Sequence, residues 1–244
     1  MNRGIPVSVE GAINRRVETP ISESDTWAKV VSGQTAALDR SDKPILYALI
    51  RHLETRTPQR LATARELAQL AASPDSEIPF TDEERKMYAA FRANPDLERA
   101  TFNRMSATLD WTEDSYKGAC LSILRSPIPL RSATTPVLSI KAPAHPAIWQ
   151  PLPGMTPYHL VVALNKTTLA MLLLADFDDA FMNIEIDIDT ARYFNRNYVG
   201  QFSHFEHIRH LISDREGLAD DMTWAPYDLV DDSDRRMLFQ RRAK

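Results

Sequence analysis

The sequence predicts an α+β fold, with a helical N-terminal half packed on a small, mainly antiparallel sheet and followed by C-terminal helices. Three observations carry this reading. Residues 22–125 hold a succession of helix caps and apolar residues at helical spacing. Eight prolines then fall between Pro127 and Pro157, a density that no amphipathic helix survives. Beyond them, HLVVAL (159–164) and LAMLLL (169–174) flank the polar turn Asn165-Lys166-Thr167-Thr168, the pattern of a buried β-hairpin, although the leucine-rich second run also suits a helix.

The best-specified element is SDKPILYALIRHLETRTP, residues 41–58. Ser41 suits the N-cap and Asp42 the positive end of the helix dipole. Ile45, Leu46, Leu49, Ile50 and Leu53 form one apolar stripe, and Pro58 stops the helix. Before it, Ser22 with Asp25 reads as an imperfect capping box for a helix carrying Trp27, Val30, Val31 and Leu38. After it, residues 58–72 are rich in strong helix formers and residues 73–79 form a loop. Thr81 with Glu84 is a full capping box for a helix through Phe91. Asn94 and Pro95 open another, with Leu97, Phe102, Met105 and Leu109 inside it. Tyr116, Cys120 and Leu124, at four-residue spacing, place a further helix over 112–124.

In the second half, residues 137–140 and 147–150 read as short extended pieces. Residues 184–189 alternate Ile-Glu-Ile-Asp-Ile-Asp, the period of a half-buried strand, although Asp187 or Asp189 also suits the cap of a following helix. Residues 190–202 and 204–213 read as helices, and an acidic and then a basic tail closes a chain expected to form one domain.

Composition is that of a soluble globular protein, 43% hydrophobic and 25% charged. Only 7 glycines stand beside 16 prolines, which favours firm helix stops over glycine-rich ligand loops. A net charge of −4 gives no reason to expect binding to nucleic acid or acidic membranes, and the four scattered tryptophans make no stacking platform. The lone Cys120 fits a reducing compartment, and its apolar surroundings suit a small core residue better than a nucleophile without a base. Residues 1–16 carry no apolar run, and the longest such run, 169–175, is far short of the roughly 20 residues of a membrane span. A cytoplasmic protein is expected.

Four stretches together resemble the domain of unknown function 4238 family. They are Glu18 in RRVETP, the helix running into Arg56-Thr57-Pro58, PLPGMTP (151–157) leading into an apolar strand, and the Asn-containing helix ARYFNRN (191–197). The resemblance spans roughly residues 10–215. It implies a fold more than a mechanism, and it favours Glu18, His52, Arg56 and Asn195 as binding residues. The family's usual N-terminal His-Val-Pro segment and its Asp-x-Pro strand signature have no counterpart here; Thr134-Thr135-Pro136 and Lys141-Ala142-Pro143 stand nearest to the second.

Three constellations could carry chemistry. Glu185, Asp187 and Asp189 on one strand would point to one side about 6–7 Å apart, a geometry for a divalent cation; the plainer alternative is a wet acidic face or a helix cap. His204, His207 and His210 on a helix spread over about 120°, so at most two would share a metal. Arg56 closes the central helix, where it either clamps a phosphate or carboxylate or pairs with Glu18 to pin the N-terminal segment. Asn195 and Asn197, poor helix formers inside a helix, suggest buried hydrogen bonds to a neighbouring loop.

The expected function is binding rather than catalysis, with no cofactor and no identifiable partner. The alternative is a divalent-metal-dependent phosphodiester hydrolase with Glu185, Asp187 and Asp189 as ligands and Arg56 or Lys141 on the phosphate. A third reading, a subunit of a larger assembly, calls for a large exposed apolar patch.

Overall fold

The structure, a computed structural model, describes residues 14–55, 65, 68–74, 80–93, 116–133, 135–141, 147–148, 158–174, 180–204, 211–212, 217–218 and 221. Sequence expectations for Arg56, for residues 75–79, 94–115, 142–146 and 149–157, for His207 and His210 and for both tails lie outside these residues.

The fold is α+β. A five-stranded sheet runs in the order β3-β4-β5-β1-β6, with β1 Ala119–Arg125, β3 Val137–Lys141, β4 Tyr158–Asn165, β5 Thr168–Leu174 and β6 Ala180–Glu185. All neighbours are antiparallel except β1 and β6, which run parallel. β4 and β5 are the expected hairpin, turning at Lys166 and Thr167, and the leucine-rich second run is a strand. A second, two-stranded sheet joins β2 Ser132–Ala133 to β7 Leu211–Ile212.

Helices cover the main sheet on both faces. On one face Ala119, Leu121 and Ile123 of β1, with Leu160, Val162, Ala170 and Leu172, meet Val30 of α2 Asp25–Val31, Leu46 and Ile50 of α3 Lys43–Thr55, and Leu38 from the segment between them. On the other, Leu124, Leu138, Ile140, Val161, Leu169, Met171 and Ile184 receive Ala191, Phe194 and Tyr198 of α5 Ile188–His204. Each strand alternates between the two cores, as a period of two requires, so the central strands are apolar at most positions.

This explains one correction. Residues 119–125, expected as the end of a helix, are strand β1, buried over its first six residues. A strand covered on both faces shows no alternation, and ACLSIL then satisfies helical spacing as well. Cys120 is nevertheless the small core residue expected, 5% exposed, and burial pushes its thiol pKa up.

The N-terminal region differs in its caps. Ser24, not Ser22, caps α2, accepting the Trp27 N–H at 3.1 Å, while Ser22 ends the short helix α1 Thr19–Ser22. Ser41 does not cap the central helix. Asp39 takes the Ser41 N–H at 2.7 Å and Asp42 takes the Asp39 N–H at 2.8 Å, a reciprocal box on the 3-10 turn Arg40–Asp42 that leads into α3. Asp42 is buried, accepting also from Thr26 Oγ1 at 2.7 Å and from Lys29 Nζ at 2.8 Å. That bond to Asp42 raises the Lys29 pKa, against an opposing effect of burial. The stripe of α3 divides between two neighbours: Leu46 and Ile50 lie on the sheet, whereas Ala48 and Leu49 pack on Val17 and Ile21. Arg65 and residues 68–72 are helical, and the Thr81–Glu84 box opens α4 Asp82–Ala93 as expected.

At the other end α5 confirms the helix expected at 190–202, but the helix expected over 204–213 is not continuous. Leu211 and Ile212 pair with Ala133 and Ser132 as a strand. The reason is tertiary: a two-residue stretch offers little propensity of its own, and the open partner strand β2 takes it.

Candidate functional site

The corner where the N-terminal segment meets α3 brings together two of the sequence-selected residues. Val17, fully buried, anchors the π-helical turn Asn14–Glu18 among Ile21, Ala48 and Leu49. Glu18 therefore faces the last turn of α3, where its Oε1 lies 3.2 Å from His52 Nε2. His52 is buried, at 8% side-chain exposure, while Glu18 keeps 39% and reaches solvent. A carboxylate in this position orients the imidazole and favours a proton on Nε2. Next to His52 in the helix, Arg51 Nη1 meets Glu54 Oε2 at 2.6 Å, and burial lowers the Arg51 pKa, opposed by Tyr47. Arg15 and Arg16 stand exposed on the π-helical turn. Arg56, named with Glu18 and His52 from the sequence, follows Thr55 in the chain and lies outside the described residues.

The three carboxylates are not gathered. β6 stops at Glu185, so the alternating run does not continue as a strand. Glu185 is 82% exposed and lies 3.7 Å from Arg125. Asp187 is the N-cap of α5, its Oδ1 accepting the Thr190 N–H at 2.7 Å. Asp189, 89% exposed, sits in the first helical turn beside Arg192 at 3.9 Å. Among the described residues no group of three His, Cys, Asp or Glu is arranged to hold a metal ion. His204 is the last residue of α5, and His207 and His210 lie outside the described residues.

Asn195 is 2% exposed and does what a mid-helix asparagine does when it leaves the helix surface for a loop. Its Oδ1 accepts the Arg131 N–H at 2.8 Å and its Nδ2 donates to the Pro129 carbonyl at 2.9 Å. Asn197 Nδ2 donates to the Tyr193 carbonyl four residues back at 2.8 Å, so it serves its own helix rather than the loop. Asn195 is thereby far in role from Glu18 and His52: it holds the proline-rich loop 126–131 against α5.

That loop positions a cluster the sequence did not announce. Arg131, 3% exposed, directs Nε and Nη2 to Asp221 Oδ2 at 2.9 and 2.8 Å, and Arg196 Nε approaches Asp221 Oδ1 at 3.6 Å. Gly217, with φ +65°, allows the turn that brings Asp221 back over Arg131. The partners are 90 and 25 residues apart in sequence. The only signal was a single arginine inside the proline-rich stretch.

No helix among the described residues is long and apolar enough to cross a membrane. The chain matches no protein-family model, no curated protein and no solved structure.

Proposed function

We propose that this is a cytoplasmic protein of the 4238 type that acts by binding rather than catalysis, and that its ligand is a small anion bearing a phosphate or carboxylate. The observation that supports this reading is the Glu18–His52 contact of 3.2 Å at the end of α3. Four arginines belong to this corner by structure or by sequence, Arg15, Arg16, Arg51 and Arg56, against two glutamates, Glu18 and Glu54. The balance is cationic, and Arg56 enters the chain directly after the helix that presents His52. A guanidinium fork binds such anions in two-point geometry. The hydrolase alternative has no comparable support, because Asp187 is engaged as a helix cap and Glu185 and Asp189 are each beside a separate arginine.

The test is calorimetric titration with inorganic phosphate and citrate at constant ionic strength, on the full chain and on Arg56→Gln and His52→Gln. Saturable binding to the wild type, weakened at least tenfold in Arg56→Gln, is the expected result. Heats indistinguishable from dilution across the millimolar range, in chains shown to be folded, would refute it.

A further inference from the structure

The C-terminal region meets the body of the fold on one short stretch. Leu211 and Ile212 pair with Ala133 and Ser132, and a Cβ added at Gly217 would stand 3.7 Å from Arg131 Nη2. Asp221 Oδ2 then takes two donors from Arg131, at 2.9 and 2.8 Å, while its Oδ1 lies 3.6 Å from Arg196 Nε on α5. Three points between Leu211 and Asp221 thus bear on residues 131–133.

The other side of this contact is anchored independently. The Ser126 and Leu130 N–H groups donate to the Thr167 and Lys166 carbonyls of the β4–β5 turn, at 2.8 and 2.7 Å. The Arg131 N–H donates to Asn195 of α5. Residues 126–131 therefore belong with the five-stranded sheet and its helix, and those bonds do not depend on Asp221. The pairing of Leu211–Ile212 is only two residues long, and so short a ladder lies at the low end of local stability.

Charge supplies what the ladder lacks. Arg131 is 3% exposed and Asp221 6%, and a guanidinium buried that deeply is costly without its anion. With the contact closed, Asp221 provides that anion; with it open, water hydrates the guanidinium instead. The balance between the two states turns on the charge of Asp221.

We propose that Asp221 is an electrostatic latch, and that its carboxylate closes the C-terminal strap, at Leu211–Ile212 and Asp221, onto residues 131–133 as a unit that opens without unfolding the five-stranded sheet. Opening withdraws the carboxylate that Arg131 and Arg196 share, so the strap sets whether that pair of guanidiniums is neutralised within the chain.

Amide-resolved hydrogen exchange on the full chain, on Asp221→Asn and on Asp221→Glu tests this. The reporters on the strap are the Leu211–Ile212 pairing and the Asp221 N–H, which donates to the Gly217 carbonyl at 3.1 Å. The reporters on the body are the N–H groups of Ser126, Leu130 and Arg131 and those of β1 and β5. In the wild type the strap exchanges faster than the body. Asp221→Asn, which keeps the shape and removes the charge, speeds the strap about tenfold or more and leaves the body within about twofold. Asp221→Glu, which keeps the charge, stays nearer the wild type, and Arg196→Gln speeds the same strap amides by less than Asp221→Asn does. Equal loss of protection in strap and body, including an Asp221→Asn chain that fails to fold, would overturn the proposal, because the strap would then not be a separate unit. Unchanged strap exchange in Asp221→Asn would overturn it too, because the carboxylate would then hold nothing closed.

Discussion

Tyr198 offers the sharpest test of how this fold is held together. Extending the β3–β4 register by one rung beyond Val137↔Val162 would place Pro136 opposite Ala163. Proline has no N–H, so the ladder cannot continue there. The Tyr198 hydroxyl enters the gap instead, accepting the Ala163 N–H at 3.2 Å and donating to the Pro136 carbonyl at 2.8 Å. The side chain is fully buried, and that burial holds the phenol pKa far above its ordinary range. Tyr198→Phe keeps the ring among Phe194 and its neighbours and removes only the oxygen. It leaves one partly buried donor and one partly buried acceptor without that partner, at about 1–2 kcal/mol each, or about 2–4 kcal/mol together. For a chain of this size that corresponds to a fall in melting temperature of about 4–16 °C. Thermal and urea unfolding of both proteins, followed by far-UV circular dichroism, give the comparison. A difference below about 0.5 kcal/mol would mean that the hydroxyl does not act as the missing rung, and the argument would fail.

Two other expectations follow from the same structure. Asp187→Ala, which deletes the N-cap of α5, lowers stability by about 1 kcal/mol, whereas Asp187→Ser, which can still cap, restores most of it; a metal ligand would show the opposite insensitivity, with both variants equally damaged, so urea unfolding of the pair decides the role. Stability falls as pH rises above about 9, because the Cys120 thiol (ordinary value 9.0), the Tyr198 phenol (10.0) and the Lys29 ammonium (10.5) all hold their protons more tightly in the folded chain. The unfolded chain releases those protons first, so deprotonation favours unfolding; alkaline unfolding curves from pH 8 to 11 check the sign, and a rise in stability over that window would contradict it.

Much of this fold was legible in local sequence chemistry. The Thr81–Glu84 box, the apolar stripe of α3, the β4–β5 hairpin and the α+β class follow from period, caps and turn residues, because those signals act over three or four residues. A cap for α5 at Asp187 was legible as one of two readings, and the strand that competed with it ends at Glu185, where β6 runs out of partner: β1 stops at Arg125. Other features were decided only when distant segments met. β1 looks helical in sequence because its buried run, ACLSIL, shows no alternation, and it shows none because helices cover both of its faces. Glu18 and His52 are 34 residues apart, and Val17 packing on Ala48 and Leu49 is what sets them side by side. The Arg131–Asp221 pair spans 90 residues and gives no local sign, since an ion pair closed across a fold leaves no period in the chain. Local propensity thus determined the elements that carry their own caps, stripes and turns. Burial, which rewards contacts without regard to sequence distance, decided how they stack and which charged side chains meet.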